Sequence, residues 1–258
     1  MSTSSVEPLT LVFIGALGLI FGSFVTALSY RLPRGESIAH GRSRCPACGH
    51  ILEAPDLVPV LSWVTQGGAC RHCRTRISWR YPFIELVTMA LFVAAGLFSM
   101  NVIQMVLLLA LTPPMMALAV IDLEHRRLPN SLVLILAVLA LAWRWNADQS
   151  ILTGVAAAFI VGGAGLLLDA GCRKVAGKPG LGLGDTKLFA LAAIALPVPE
   201  FLLFAASAGS LGVVFGGLWQ WRTQAGQFPF APAILMSFWG ALLVADDAVR
   251  LLINWRWA

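Results

Sequence analysis

Long apolar runs separated by short polar joints fill most of this chain. A helix of about 20 apolar residues crosses the hydrocarbon of a bilayer, with roughly 17 to 25 tolerated. Runs near that length occupy 9–29, 82–100, 102–121, 131–146, 150–170, 201–221 and 231–253. An eighth, 186–197, is short and closes at "PVPE", where Pro197 and Pro199 lack the N–H that a helix interior needs. Those prolines forbid a single helix from 186 to 221. The pattern therefore predicts an all-α polytopic membrane protein with about eight transmembrane helices. The first run has no basic residue before it and is too long for the core of a signal peptide, so it is read as a retained helix. One stretch, 30–81, is too polar to cross. The expected organisation is a first transmembrane helix at 1–29, a small polar domain at 30–81 between helices 1 and 2, and a transmembrane domain at 82–258.

Composition supports the membrane class. Of 258 residues, 58% are hydrophobic and 12% charged, against about 25% charged in soluble domains. Too little polar surface is available to cover a water-soluble core of this size.

Charge then sets orientation, because Lys and Arg are retained on the cytoplasmic side. Eight helices place 30–81, 122–130, 171–185 and 222–230 on one side. Those segments, with Lys187 at a helix mouth, hold all the Lys and Arg except Arg144, Arg250 and Arg256. The four segments are thus expected in the cytoplasm and both termini outside.

The polar domain contains "CPAC" and "CRHC". Cys45 with Cys48, and Cys70 with Cys73, form two C-x-x-C pairs. Each tight turn points two thiolates at one cation, and two such turns complete the tetrahedron of a closed structural zinc site. Disulfides are disfavoured in a reducing cytoplasm. His50 and His72 are expected as bystanders, since four sulfurs fill the shell, and Cys172 stands alone. A closed shell has no position for a substrate water, so this zinc should fold a domain and take no part in chemistry.

Ionisable groups near the bilayer are functional candidates by default. Asp246 and Asp247 have Arg250 three to four residues on, and Asp169 has Arg173, so ion pairs along one helix face account for them. Glu85 stands near a helix start, where its charge suits the helix dipole. Asp122 and Asp185 differ. Asp122 ends the third predicted helix in "IDLEHRRLPN" and Asp185 opens the sixth in "GLGLGDTKL". Both lie at the cytoplasmic boundary. The glycines before Asp185 allow a sharp turn and the close approach of another chain. Two carboxylates brought together cannot both ionise, and such a pair can activate water and protonate a leaving amine. Spacing alone leaves another account open, in which Asp185 caps its helix and Asp122 pairs with an arginine.

These motifs together resemble the bacterial type IV prepilin leader peptidases, GxGD-type aspartic membrane proteases. The resemblance runs over roughly 20–235. It includes "GSFVTALSYRLP" at 22–33, the two cysteine pairs with "LSW" at 61–63 between them, and "ISWRYPFIEL" at 77–86. It also includes "IDLEHRRLPN" at 121–130, "GLGDTKL" at 182–188 and "FPFAP" at 228–232. It implies Asp122 and Asp185 as the catalytic pair and Cys45, Cys48, Cys70 and Cys73 as zinc ligands. The implied reaction removes the basic leader from type IV prepilins or type II secretion pseudopilins. A second implied activity N-methylates the new terminal residue from S-adenosylmethionine. The chain departs from the family pattern at Thr26, where Asn is usual, and at Ala231, where Gly is usual. The residues that hold the methyl donor are not identified by the motifs.

Two other classes fit less well. A proton-coupled transporter using the same aspartates would place ionisable groups near mid-membrane and show a helix repeat. A zinc module binding nucleic acid would interleave aromatics with its arginines, yet only Trp63 lies between residues 36 and 76. No nucleic-acid partner is expected.

Overall fold

The computed structural model describes residues 7–38, 41–99, 101–177, 180–224 and 227–255, with side chains to 243. It divides into two compact units, 1–99 and 100–258. All regular structure among the described residues is helical.

The first unit is built on two long helices, α1 (Pro8–Arg31) and α3 (Arg80–Phe98), with the polar segment between them. Pro8 starts α1 at a position whose N–H would be unpaired anyway. A short 3-10 turn, Leu32–Arg34, and Gly35 at φ 70° end it. Helices in lipid gain little from burying apolar groups against each other, so close backbone packing at small residues holds them together. Gly18 and Gly22 serve that purpose here. A Cβ at Gly18 would lie 2.7 Å from Met89 Cα, and one at Gly22 would lie 2.6 Å from Glu85 Cα.

The polar segment has little apolar core. It holds a 3-10 turn at Ala54–Leu57 and a short helix, α2 (Leu61–Thr65). Its buried hydrophobic residues are Cys45 and Cys70. Trp63 packs over Gly68 and donates its Nε1–H to the Ile77 carbonyl at 3.1 Å.

The second unit contains α4 (Val102–His125), α5 (Asn130–Asn146), α6 (Ile151–Ala176), α7 (Leu183–Ala195), α8 (Val198–Thr223) and α9 (Ala231–Trp255). α4 is the buried helix, packed by α5 and α9, while α7 packs on α5, α6 and α9. α6 and α8 leave most of their apolar surface exposed, as lipid-facing helices do.

Each predicted hydrophobic run is a helix, but the length and composition of the described residues do not bear out all eight as spans. Five helices are long and apolar enough to cross a membrane: α1, α3, α4, α6 and α8. α5 and the described part of α9 are shorter apolar helices, and α7 has 13 residues.

Prolines have opposite effects at two places in the second unit. Pro197 separates α7 from α8 as expected. Pro113 and Pro114 lie inside α4 without ending it. Beside them Thr112 Oγ1 donates to the Leu108 carbonyl at 2.7 Å and accepts from Trp239 Nε1 at 2.9 Å. These bonds tie this stretch of α4 to α9.

The glycine contacts make a test. Gly22→Ala should destabilise the protein by about 1–3 kcal/mol, the usual cost of overpacking. Gly163→Ala, whose added Cβ meets nothing within 4 Å, should be neutral or stabilising by up to about 1 kcal/mol. Denaturant unfolding in detergent measures both; equal effects would refute the backbone-contact account.

Candidate active site and metal centre

α4 stops just beyond Asp122. Arg126 adopts a left-handed conformation (φ 52°), its N–H caps the Asp122 carbonyl at 2.9 Å, and Pro129 follows. Asp122 is buried, 8% exposed. Its Oδ2 accepts the Ala231 N–H at 3.2 Å, at the first residue of α9. A helix N-terminus favours an anion, so α9 holds the Asp122 carboxylate in place. The start of α9 is itself fixed from α8: Phe230 sits where a Cβ at Gly212 would be, and Phe228 lies against Gly216. "FPFAP" therefore reaches the site through its backbone, which explains why an alanine serves at 231.

Asp185 lies in the first turn of α7, half-buried. Among the described residues the chain bends at Gly180 and Leu181 before it, and it does so without a left-handed glycine. Gly182 is extended, Gly184 is already helical, and none of Gly180, Gly182 and Gly184 has a positive φ. The glycines act by being small. A Cβ at Gly180 would meet Cys172 Sγ at 2.7 Å, and one at Gly184 would meet Leu128 Cδ1 at 2.7 Å. Gly182 leaves room for the Asp185 carboxylate itself, whose Oδ2 would lie 2.9 Å from a Cβ there. Leu128 belongs to the loop that follows Asp122, so Gly184 lets the two aspartate-bearing segments touch. Lys187 Nζ ties them again by donating to Asn130 Oδ1 at 2.8 Å.

Asp122 is the charged group that acts on Asp185. No hydrogen-bond donor or cation among the described residues reaches the Asp185 carboxylate. Among the described residues it does not cap its helix, and Asp122 makes no contact ion pair, although Arg126 acts on it through space. Two carboxylates in electrostatic contact, one held by a backbone amide and one unbonded, form a site able to share a proton.

Asp169 pairs with Arg173 as expected, at 2.8 Å. It also accepts the Gly180 N–H at 3.1 Å and so holds the glycine segment against α6; no sequence pattern marks that second role. Asp246, Asp247 and Arg250 lie outside the residues whose side chains are described.

The four cysteines come together. Their sulfurs all lie within 4.8 Å of one another, with Cys45 Sγ and Cys73 Sγ 3.8 Å apart. A tetrahedral ion with Zn–S near 2.3 Å has S–S edges of about 3.8 Å, so the cluster fits a metal. The two knuckles are built alike. Cys45 N–H donates to the His50 carbonyl and Cys70 N–H to the Thr75 carbonyl, both at 2.9 Å. Gly49 and Arg74, each one residue past the second cysteine, take positive φ. The Thr75 hydroxyl, 3.3 Å from Cys73 Sγ, and the Thr75 amide pull that thiol down to about 6, toward the thiolate that binds metal. His50 and His72 stack on each other outside the sulfur shell, with ring centroids 3.4 Å apart.

Glu85, inside the 77–86 motif but given no role beyond the helix dipole by the sequence, has a specific partner in the first unit. Glu85 is 6% exposed and its Oε2 accepts the Val60 N–H at 2.7 Å. It is not a helix-dipole residue at the surface, as its place near a helix start suggests.

Residues 16–98 match the model of the bacterial peptidase A24 N-terminal domain, and residues 109–217 match that of the type IV leader peptidase family. The chain is 34% identical to a prepilin leader peptidase/N-methyltransferase of Bacillus subtilis, covering 95% of this chain and 98% of that protein. It is 31% identical to one of Neisseria gonorrhoeae over 98% of this chain and 96% of the relative. A Myxococcus xanthus protein of the same name is 36% identical over 79% of this chain, and there the match spans 62% of the relative's length. No solved structure matches the chain. With two successive domain models matched and relatives aligned from end to end, the chain belongs to the type IV leader peptidase family, a family of proteases.

Proposed function

We propose that this protein is a multi-pass enzyme of the bacterial inner membrane that removes the basic leader from prepilins or type II secretion pseudopilins. The observation that carries the reading is the state of Asp185: half-buried, unbonded, with Asp122 as its charged neighbour. One carboxylate takes a proton from water as the water oxygen attacks the scissile carbonyl. The other carries the shared proton and gives it to the leaving amine as the tetrahedral intermediate collapses. A basic leader stays in the cytoplasm by the positive-inside rule while the apolar stem enters the bilayer. The scissile bond then lies at the cytoplasmic boundary, where the charge pattern puts both aspartates and the zinc domain.

The new terminal residue is then N-methylated. The neutral terminal amine of the cleaved pilin is the methyl acceptor. S-adenosylmethionine, when bound, supplies the methyl group. Cys45, Cys48, Cys70 and Cys73 hold a zinc ion that organises the 30–81 domain and takes no part in either reaction.

Asp122→Asn and Asp185→Asn should each lower cleavage of a purified prepilin by at least about 100-fold, the low end for losing a general acid or base. Both variants should remain inserted and folded. Mass spectrometry of the prepilin N-terminus reads the outcome, and substantial processing by either variant would sink the pair. The wild-type pH–rate profile should be bell-shaped, with limbs that belong to the pair.

Cys70→Ser should lower zinc content, measured by elemental analysis. Methylation should fall at least as far as cleavage, because the metal sits in the polar domain and not with the aspartates. A wild type that holds no metal and carries four oxidised cysteines would overturn both the zinc assignment and the cytoplasmic placement.

A further inference from the structure

Arg144 lies near the end of α5, far along the helix from Asn130. It is one of the three basic residues that the charge pattern leaves outside the cytoplasmic segments. It is also buried, 7% exposed. Its bonds go to two main-chain carbonyls and a hydroxyl. Nε donates to the Ser150 carbonyl at 2.6 Å, Nη1 to the Ile194 carbonyl at 2.9 Å and Nη2 to Thr153 Oγ1 at 2.8 Å. A buried cation in a membrane protein is costly and marks a site with a task.

The task shows at Ile194. α7 ends at Ala195, with Leu196 extended and Pro197 next. The last carbonyls of a helix have no partner inside it, and here the chain turns away. Arg144 reaches the Ile194 carbonyl from another helix. A cation is favoured there twice, as a donor and as a charge at the negative end of the helix dipole. Gly154 of α6 completes the joint. A Cβ there would lie 2.6 Å from Arg144 Cδ and 2.8 Å from the Ile194 carbonyl oxygen. Three helices of the second unit thus meet at one side chain.

Asp185 stands in the first turn of this same helix. It and Ile194 are about 14 Å apart along the axis, at roughly 1.5 Å per residue. The Asp122 carboxylate is held directly, by the Ala231 N–H. Asp185 has no such bond, so its place follows from where α7 stands. Near its start α7 is packed by Thr186 against Gly165 of α6 and tied by Lys187 to Asn130. The first is a contact between small groups, which permits sliding along the axis. The second is exposed to water. The bond at Ile194 is shielded by the burial of Arg144 and aimed at the helix end, so it sets how far α7 extends toward the cytoplasmic boundary.

We propose that Arg144 is a positioning residue for peptide cleavage: by holding the far end of α7 it fixes the level of Asp185 against Asp122. The proposal rests on the aspartate pair assigned above. Arg144 bonds neither carboxylate, and its effect passes through α7.

The test uses the full chain purified in detergent and one purified prepilin. Arg144→Met removes the donors and keeps an apolar stem. kcat for cleavage should fall about tenfold or more, since displacing a reacting group by about 1 Å costs up to ~100-fold. KM should stay within about twofold, because no substrate contact is removed. The pH profile of kcat/KM should narrow, its two limbs moving together as the coupling between the carboxylates weakens. Arg144→Lys, which can still donate to the Ile194 carbonyl, should recover part of both. Denaturant unfolding follows stability separately. A loss of stability with wild-type kcat per folded enzyme and unmoved limbs would make Arg144 a structural residue and overturn the proposal. Should Arg144→Met not fold, Thr153→Val decides. Losing one of the three acceptors should lower kcat about threefold, the usual worth of a hydrogen bond, with the same narrowing; wild-type values there would overturn the proposal. A wild type that leaves prepilin uncut would overturn the functional reading and the proposal with it, whereas a wild type that cuts beside an unaffected variant overturns the proposal alone.

Discussion

A carboxylate buried beside the bilayer is tolerated only where something polar is aimed at it. For Asp122 that group is the N–H of Ala231 at the first residue of α9. The bond fixes more than one side chain. It requires α9 to begin at the depth where α4 ends, so the descending chain must be stopped and turned at the right place. Phe228 and Phe230 do this by filling the space over Gly216 and Gly212 of α8. On the other side, Gly184 lets α7 begin against Leu128, just past the αL turn at Arg126. The site is therefore assembled from helix ends, each set by a close contact at a glycine. No tightly hydrogen-bonded network of side chains surrounds the aspartates, and Asp185 is left unbonded.

Much of this was legible in the sequence because its physics is local. Hydropathy located the long helices, since a run of apolar residues in lipid has few options besides a helix. The C-x-x-C pairs located the metal cluster, since the turn itself converges two sulfurs. What failed depended on neighbours. Pro197 ends a helix while Pro113 and Pro114 do not, and at the latter α4 is bound by Trp239 of α9 through Thr112, a partner remote in sequence. A glycine likewise has two uses, a strained turn or a close approach, and its sequence does not say which. Those before Asp185 serve close approach. Glu85 and Val60 lie 25 residues apart in sequence, and only the folded polar segment reveals their bond.

That segment shows how a stretch with almost no apolar core keeps a shape. Its two knuckles repeat one hydrogen-bond pattern, and their buried residues are cysteines. The ion that fits between them takes the place of a hydrophobic core, as expected for a domain too small to fold on burial alone. Its walls can then be devoted to polar and charged side chains without loss of order.

Glu85 and Asp185 make an instructive pair because each is a carboxylate with no cation beside it, in settings that lead to different chemistry. Asp185 faces another acid, so the state that relieves the repulsion is a shared proton, and a shared proton is what amide hydrolysis needs. Glu85 has no acid beside it and receives a backbone N–H and a hydroxyl instead. What each carboxylate can do thus follows from what stands next to it, and the residue type alone would not have distinguished them.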